Sequence, residues 1–301
     1  MRRRRWVKVL VIVLASTLGV AVAAALGALW WLNSSLQRLP VSLPGTGGVW
    51  LIVGVDDRAA ADERILEDTG TGEPGARADV LLLARADGDT LRLLSVDRRV
   101  VALDAAGIPG RLGASWLEGP QRAIDLFCHG LGVGVDHLIQ VDFGSLVEVV
   151  DALGGIEVEL EYALRDGPAH LSIDSGVQQI DGRTALALVR SRQGELLVDG
   201  QWQPETQGAE ARQRRAGMVL ASVMRKMKQS ELATQWDAAN VARQRLKLDP
   251  ATGVQDVLGL RNLALDPEVL RTEPVSEEDL MTSLLPEGEQ QLEAFRDGTC
   301  E

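Results

Sequence analysis

Residues 137–160 read HLIQVDFGSLVEVVDALGGIEVEL, and this segment decides the fold class. Its first residues have the pattern of a short strand, and residues 143–153 follow as a helix that Gly154 and Gly155 close. Residues 156–160 then alternate Ile, Val and Leu with two glutamates, which is typical of a second strand. A strand–helix–strand order predicts an α/β domain.

The flanking sequence extends this prediction in both directions. The continuous apolar run VWLIVGV at 49–55 predicts a strand buried on both faces. Residues 79–85 and 90–96 flank Asp87-Gly88, a strong hairpin signal. Helices are predicted at 121–130, 181–188 and 210–229, and the remainder of the chain is helical in pattern except for residues 270–275. We therefore expect a three-layer α-β-α domain with a central mixed sheet.

The chain begins with the basic tail MRRRR, and an apolar run follows at residues 6–32. A run of this length predicts one transmembrane helix with a cytoplasmic N-terminus, because basic residues remain on the cytoplasmic side. A cleavable signal peptide is the alternative, although its apolar region would be shorter. The predicted organisation is a cytoplasmic tail (1–5), a transmembrane helix (6–32), a linker (33–48), a main extracytoplasmic domain (49–220) and a helical extension packed on the same domain (221–301).

The charge balance excludes one class of partner. The formal net charge is −12, from 31 basic and 43 acidic residues. Five basic residues lie within the first eight positions, so the rest of the chain carries 26 basic residues against the same 43 acidic ones, a balance of −17. Such a surface repels phosphodiester backbones, and we expect no nucleic-acid partner.

The two cysteines, Cys128 and Cys300, both lie on the predicted oxidising side of the membrane. A disulfide between them would tie the last residues to the body of the domain. Two separate free thiols are the alternative, because sequence spacing does not show whether the two α-carbons lie close together.

Arginines and aspartates recur where predicted strands end and loops begin, while no HExxH, GxSxG, Walker A or CxxC pattern is present. Ligands of open α/β sheets bind at the carboxyl ends of strands, and arginine forks match phosphate oxygens. This set predicts a pyrophosphate site; the alternative is a group of solvated surface charges and ion pairs. Its members are Asp56, Arg58, Arg77, Asp79, Arg98, Arg99, Arg190, Arg192, Arg212 and Gln213.

Seven ordered blocks of this sequence resemble the LytR-CpsA-Psr family of cell-wall glycopolymer ligases. They cover residues from about 49 to 220, and their order along the chain is more specific than any one block. The blocks are LIVGVDDR (51–58), RADVLLL (77–83), LSVDRR (94–99), RLGASWLEG (111–119), HLIQVDFGSLVEVVDALGGIEV (137–158), IDGRTALALVRSR (180–192) and TQGAEARQ (206–213).

The resemblance implies a membrane-bound phosphotransferase, which moves a glycan phosphate from a polyprenyl-pyrophosphate carrier to peptidoglycan and releases polyprenyl phosphate. By position, Arg98, Arg190, Arg192 and Arg212 would bind the pyrophosphate, with support from Arg58, Arg77, Arg111 and Gln213. Asp56 and Asp79 would hold Mg²⁺ that bridges the pyrophosphate. Four apolar residues are candidates for a lipid pocket or, alternatively, plain core: Ile139, Val141, Val158 and Leu160.

This chain also departs from the family pattern, so it is a divergent member. Arg99 stands where an acid follows the catalytic arginine, and Asp97 lies one place before that arginine. Thr206 replaces an aspartate and Ala209 an arginine, while Arg111 and Gly113 replace lysine and asparagine. These departures leave two further readings open: a non-catalytic protein that binds polyprenyl-linked glycan in wall assembly, and a membrane-tethered regulator.

Overall fold

The structure is a computed structural model, and it describes residues 23, 26–28, 30–31, 33–56, 77–206, 208–260, 263–274 and 282–300. Its strands are β1 (Gln37–Arg38), β2 (Val49–Val55), β3 (Ala78–Asp87), β4 (Thr90–Val96), β5 (Val101–Leu103), β6 (Pro109–Arg111), β7 (His137–Asp142), β8 (Ile156–Leu160), β9 (Leu164–Asp166), β10 (Leu171–Ile173), β11 (Gly176–Ile180), β12 (Glu195–Val198), β13 (Gln201–Pro204), β14 (Lys247–Leu248), β15 (Ala264–Val269), β16 (Thr272–Pro274) and β17 (Thr282–Leu284). Its helices are α1 (Leu112–Ser115), α2 (Pro120–Asp125, continued by one π-helical turn at Leu126–Gly130), α3 (Phe143–Ala152), α4 (Gly182–Arg190), α5 (Gly208–Gln229), α6 (Leu232–Arg245), α7 (Val254–Leu260) and α8 (Pro286–Glu293).

The central sheet has seven strands in the order β1-β14-β7-β2-β3-β4-β15. It is mixed: β2 is parallel to β7 and antiparallel to β3, and β15 is parallel to β4. The predicted hairpin is confirmed. β3 and β4 are paired in antiparallel fashion, beginning with Asp87 opposite Thr90 next to the turn, and Gly88 in the turn adopts a left-handed φ of 59°. The predicted mixed α/β fold is therefore confirmed.

Helices cover both faces of this sheet. Leu51 and Val53 on β2 belong to a core that includes Phe127 and Phe295, on the side of α2 and α8. Trp50 belongs to a second core, with Leu220 of α5 packed against it. Alternate residues of one strand thus enter different cores, as the period of a strand requires, and the sheet forms the middle of three layers.

Two helices on one side of the sheet approach each other very closely. A Cβ added at Gly182, the first residue of α4, would lie 2.3 Å from the backbone oxygen of Val147 in α3. Only glycine permits this distance, which lets α4 pack against α3. The N-terminus of α4 is capped by the Asp181 carboxylate, which accepts a hydrogen bond from the backbone N–H of Thr184 at 2.8 Å.

The structure corrects the predicted C-terminal boundary. Residue 220 lies inside α5, and the segment after it is not a helical extension, because β14 and β15 belong to the central sheet. The helix predicted at 181–188 continues to Arg190. A smaller sheet, ordered β10-β9-β12-β13, was not predicted at all.

A disulfide joins Cys128 to Cys300, with a Cα–Cα distance of 5.2 Å and a sequence separation of 172 residues. It fastens the C-terminal residues to the π-helical turn after α2. Most of the predicted transmembrane segment at 6–32 lies outside the described residues. Within the described part of the chain, no helix has the length and apolar character needed to cross a membrane.

Candidate active site

A single carboxylate gathers two of the predicted arginines. Asp79 is the second residue of β3, and its side chain is 15% exposed. Its Oδ1 accepts a hydrogen bond from Arg98, in the turn after β4. Its Oδ2 accepts another from Nη2 of Arg192, just beyond the end of α4, at 2.7 Å. Asp79 therefore links three segments that are far apart in sequence.

A third arginine enters the same cluster from α5. Arg212 is 6% exposed, and burial, followed by the neighbouring guanidinium of Arg192, lowers its pKa to about 10. Arg98 lowers the pKa further, while Asp79 and Asp97 act in the opposite direction. A pKa of about 10 still leaves Arg212 charged at neutral pH. This buried positive charge favours binding of an anion.

The fourth predicted arginine, Arg190, is the last residue of α4. Its guanidinium carbon lies 5.5 Å from the ring centroid of Phe143, the first residue of α3. Together with Arg192 and Arg212, it lines a small pocket with a cavity volume of about 50 Å³. The structure thus brings all four predicted catalytic arginines to one place.

This pocket has charged groups on one part of its wall and apolar groups on another. The charged residues that line it are Asp79, Asp142, Arg190, Arg192 and Arg212. The apolar ones are Val80, Val141, Phe143, Leu146, Leu186 and Val189. A larger cavity of about 380 Å³ lies elsewhere, beside β4, β15 and α8. We assign the site to the smaller pocket, because the convergent arginines lie there and not at the larger cavity.

A buried acid that the sequence analysis missed holds the loop that carries Arg192. Asp166, at the end of β9, is 2% exposed. Its Oδ2 accepts hydrogen bonds from Ser191 Oγ at 2.8 Å and from the backbone N–H groups of Arg192 and Gln193 at 2.9 Å each. Burial raises the pKa of Asp166, but these hydrogen bonds outweigh it, and the pKa is lowered. Asp166 lies 24 residues before Arg190, the last residue of α4, and no local sequence pattern connects Asp166 with the loop that follows this helix.

A buried ion pair supports the same loop from the side of α5. Nη2 of Arg215 lies 2.5 Å from Oε1 of Glu205, and their side chains are 8% and 9% exposed. The Nη1 of Arg215 also donates to the backbone oxygen of Ser191 at 3.3 Å. Arg215 therefore contributes to the position of Arg192.

The exchange of acid and base at residues 97–99 has a structural explanation. The Asp97 carboxylate accepts hydrogen bonds from Arg99 Nη2 at 2.6 Å and from the Arg99 backbone N–H at 2.9 Å. Burial raises the pKa of Asp97, but Arg99 and, more weakly, Arg212 lower it on balance. Asp97 thus neutralises the extra arginine and places a negative charge near Arg212.

A second departure from the family pattern, Gly113, follows from close packing. A Cβ at this position would lie 2.7 Å from the backbone oxygen of Ala78 and 2.7 Å from Cβ of Arg98. The Gly113 backbone N–H donates to the backbone oxygen of Arg98 at 2.8 Å. Gly113 therefore lets α1 support the backbone of Arg98 directly, in space that a side chain would fill.

The other predicted site residues that the structure describes do not line the pocket. Asp56 follows β2, and its backbone N–H donates to the backbone oxygen of Arg77 at 3.0 Å. Arg111, at the end of β6, is exposed and does not line the pocket. Gln213 is 8% exposed, and its Oε1 has no hydrogen-bond partner among the described residues. Arg58 lies outside the described residues.

The predicted lipid-pocket residues divide in the structure. Val141 lines the pocket. Ile139 packs against the core around Trp50, on the α5 side of the sheet. Val158 and Leu160 belong to another core beneath the smaller sheets, because β8 pairs with β11 and not with the central sheet. These three residues pack in the cores and do not line the pocket. The apolar wall of the pocket instead includes Phe143, Leu146, Leu186 and Val189.

The described residues hold no cluster of three or more His, Cys, Asp and Glu side chains that would bind a metal ion. Both oxygens of Asp79 already accept hydrogen bonds from arginines. A cation beside Asp79 would therefore repel Arg98 and Arg192 unless an anionic ligand bound with it. These residues fit Mg²⁺ only as a joint site with pyrophosphate oxygens.

Comparison with known proteins places this arrangement in a family. The model of the LytR_cpsA_psr family matches residues 45–283. LcpB of Corynebacterium glutamicum, a probable cell wall biosynthesis protein, is 29% identical over 188 residues, which are 60% of this chain and 45% of that protein. TagT of Bacillus subtilis, a polyisoprenyl-teichoic acid–peptidoglycan teichoic acid transferase, is 24% identical over 281 residues, which are 85% of this chain and 81% of that protein.

A solved LytR-Csp2A-Psr enzyme from Actinomyces oris has the same fold, with a TM-score of 0.72 and 28% identity over 88% of this chain and 97% of that one. The chain belongs to the LytR-CpsA-Psr family, because the family model matches well over half of it. The match to LcpB spans less than half of that protein's length. The family model also extends to residue 283, beyond the boundary predicted at 220.

Proposed function

We propose that this protein is a membrane-anchored phosphotransferase, which moves a glycopolymer from a polyprenyl-pyrophosphate carrier to peptidoglycan and releases polyprenyl phosphate. One observation carries the proposal: Arg98, Arg192 and Arg212 gather around the single carboxylate of Asp79, beside an apolar pocket. The related TagT is named for transfer of teichoic acid from a polyisoprenyl carrier to peptidoglycan, which supports the same chemistry here.

The arginine cluster suits a pyrophosphate for reasons of charge and shape. Guanidinium forks bind phosphate oxygens with two parallel hydrogen bonds, and charged hydrogen bonds are worth about 1.5–3 kcal/mol each. Asp79 holds Arg98 and Arg192 in place before the ligand arrives, so little side-chain freedom is lost on binding. Arg190 reaches the same pocket from the end of α4.

In the proposed reaction, a hydroxyl oxygen of peptidoglycan attacks the phosphorus that bears the glycan. A new P–O bond forms as the bond from that phosphorus to the bridging oxygen breaks, and the bridging oxygen leaves with the electron pair as part of polyprenyl phosphate. The hydroxyl proton passes to water. The arginines stabilise the negative charge that develops on the leaving phosphate, so the protein contributes position and charge without a covalent intermediate.

The lipid part of the donor would enter between α3 and α4. Phe143 and Leu146 of α3 face Leu186 and Val189 of α4 across the pocket. A cavity of about 50 Å³ is too small for a polyprenyl chain, since ligand pockets usually hold several hundred Å³. In this proposal, donor binding therefore requires the two helices to separate.

We also propose that Mg²⁺ binds together with the donor, held by Asp56, Asp79 and pyrophosphate oxygens. The ion would neutralise phosphate charge. Removal of divalent cations is then expected to weaken binding of the donor in the wild-type protein more than in an Asp56→Asn variant. Equal weakening in both proteins would argue against Asp56 as a ligand.

The location proposed for the reaction follows from the predicted anchor. Residues 6–32 would cross the membrane with residues 1–5 in the cytoplasm, and the described domain would lie outside, near the leaflet that holds the lipid-linked donor. A mature protein from which residues 1–32 have been removed by cleavage would contradict this anchorage. The N-terminal sequence of the mature protein tests for cleavage, and labelling of an external cysteine in intact cells tests the orientation.

A non-catalytic protein that binds the polyprenyl-linked glycan is the second candidate. The observation in its favour is the exchange at residues 97–99, where Asp97 binds Arg99 and is held ionised by that contact. An acid engaged in this way is a poor proton acceptor for an attacking hydroxyl. This candidate predicts tight donor binding without transfer.

The two candidates are separated by wall-polymer attachment in cells that lack related proteins. Attachment is expected to require Arg98 and Arg190, so Arg98→Ala and Arg190→Ala should each abolish it while the domain remains folded. Arg92→Ala is the matched control. Arg92 lies on β4, just before the turn that carries Arg98, but it pairs with the exposed Asp87. Full attachment by both site variants would contradict the assignment.

A further inference from the structure

An exposed aromatic and basic surface lies where the chain emerges from its predicted membrane segment. We call it the α6 surface and define it by Trp30, Trp31, Leu232, Trp236 and Arg243. Leu232 is 82% exposed, Trp30 72% and Trp236 45%. Side chains of this size are rarely so exposed in one place without a partner.

The α6 surface is structured, because its residues contact one another. The rings of Trp31 and Trp236 stack with centroids 6.2 Å apart and an angle of 16° between their planes. The guanidinium carbon of Arg243 lies 3.9 Å from the Trp31 centroid. Asn33 connects the same region to α7, since its Oδ1 accepts from the backbone N–H of Val254 at 2.9 Å. The end of the predicted membrane segment is thus attached to the domain at this surface.

Helical spacing places the apolar residues together. Leu232 and Trp236 are four residues apart and lie on one face of α6, while the acidic Asp237 is offset from Trp236 by about 100° around the helix and the acidic Glu231 is the N-cap residue before it. Lys226 and Lys228 lie in the last turn of α5, immediately before this helix. Basic residues therefore precede and follow the apolar pair along the chain, although the chain as a whole carries a net charge of −12.

We infer that the α6 surface docks on an anionic lipid bilayer beside the predicted anchor. Tryptophan prefers the boundary between lipid head groups and acyl chains, and basic side chains near it attract anionic lipids. A soluble partner protein would not need the surface to be continuous with the predicted membrane segment, whereas a bilayer does. This inference rests on the anchorage proposed above, but not on transfer activity.

Docking would also orient the pocket. α6 packs against α3, and Nε of Arg245 lies 2.9 Å from Oε2 of Glu148 on that helix. α3 carries Phe143 and Leu146 of the pocket wall. A domain held by α6 at the leaflet therefore presents the apolar side of its pocket at a fixed distance from the lipid, which the anchor alone would not do.

The test uses the full chain in nanodiscs that contain phosphatidylglycerol. A spin label on Leu232→Cys is compared with the same label on Leu103→Cys, another exposed leucine, on β5 next to the α2 side of the sheet. Cys128 and Cys300 are bonded to each other, so the new thiol takes the label. Collisions with oxygen, which concentrates in the bilayer, and with a water-soluble nickel chelate report the depth of each label.

The label at position 232 is expected to collide more often with oxygen and less often with the chelate than the label at position 103. Replacement of Trp236 by serine in the Leu232→Cys protein should shift the label toward water. Equal accessibility at positions 232 and 103 would overturn the inference. If transfer activity failed but the labels differed, the proposed function would be wrong and the docking surface would stand; a chain that does not enter nanodiscs would instead refute the anchor.

Discussion

Asp79 and Arg192 are separated by 113 residues in sequence, yet Oδ2 of Asp79 lies 2.7 Å from Nη2 of Arg192. The other oxygen of the same carboxylate is bonded to Arg98. One acid thus sets the distance between two cations that, in our proposal, bind the same pyrophosphate. A carboxylate in this position organises the site even where it makes no contact with the reacting atoms.

Replacement of this acid should therefore disturb both arginines. Asp79→Asn removes the charge but keeps the shape, and loss of a charged hydrogen bond costs about 1.5–3 kcal/mol. We expect the transfer rate to fall roughly 10- to 150-fold at subsaturating donor. The control is Asp87→Asn on the same strand, whose ion pair with Arg92 is largely exposed. A fall of the same size in both variants would show that the loss is not specific to the site.

Asp166 should affect both stability and transfer, because it holds the loop of Arg192. Asp166→Asn leaves buried N–H donors with a weaker acceptor, and we expect a loss of about 1–3 kcal/mol in the free energy of unfolding together with slower transfer. Its lowered pKa gives a further signature: the contribution of Asp166 is complete above the unfolded value of 3.8 and is lost as the pH falls through the lower folded value.

The pH dependence of stability distinguishes this role of the ionised Asp166 carboxylate from nonspecific damage to the fold. Thermal unfolding of the wild type should lose part of its stability as the pH falls below 3.8, whereas the difference between wild type and Asp166→Asn should shrink over the same range. A difference that stays constant from neutral to acid pH would contradict the role of the ionised carboxylate.

The two neighbouring arginines Arg214 and Arg215 should behave very differently. Arg215→Met leaves Glu205 buried without its partner, which costs about 3–5 kcal/mol. Arg214 makes an exposed pair with Glu210 on the same helix, so Arg214→Met should cost less than about 0.5 kcal/mol. Chemical denaturation of both variants measures the contrast. Similar losses would mean that the pair of Arg215 and Glu205 is not buried in solution.

Gly113 should tolerate no side chain. Gly113→Ala places a Cβ 2.7 Å from both Ala78 and Arg98, and overpacking of this kind costs about 1–3 kcal/mol. Because Arg98 is the group displaced, transfer should decline as well. Gly259→Ala is the control, since no atom lies within 4 Å of its added Cβ, and this variant should be neutral or slightly stabilised. An active, fully stable Gly113→Ala protein would contradict the packing described.

The disulfide should stabilise the domain mainly through the unfolded chain, because it closes a loop of 172 residues. Replacement of both cysteines by serine is expected to cost about 2–5 kcal/mol. Thermal unfolding of the wild type with and without reductant provides the comparison. A reductant that leaves the melting temperature of the wild type unchanged would show that the bridge does not form.

Sequence patterns predicted the strongly apolar strands of the sheet, but not its edges. β2, β3 and β4 have continuous or alternating apolar residues, and a local hairpin signal joins two of them. β15 contains Asp266, Pro267 and Glu268, and it lies at the edge of the sheet, where proline is tolerated. β14, next to the edge strand β1, has only two residues. Neither strand has a periodic pattern, and each is defined by partners far away in sequence.

The residues of the candidate site were likewise predicted only in part. The positions of Arg98, Arg190, Arg192 and Arg212 followed from motifs that each lie within a short segment. Of the acids that hold them, Asp79 lies within such a motif, but Asp166 does not, because Asp166 meets Arg192 only through the packing of β9 against the loop after α4. Val158 and Leu160 lie outside the described pocket, and the sequence could not show this, since apolar alternation does not show which sheet a strand will join.

Transfer in vitro tests the central claim most directly. Full-length protein would be supplied with a polyprenyl-pyrophosphate oligosaccharide, peptidoglycan fragments and Mg²⁺, and released polyprenyl phosphate would be measured against Arg98→Ala and Arg92→Ala. The account predicts release with the wild type and Arg92→Ala, and none with Arg98→Ala. Tight binding of the donor by the wild type without any release would contradict it, and would identify a family member that binds the lipid-linked glycan without transferring it.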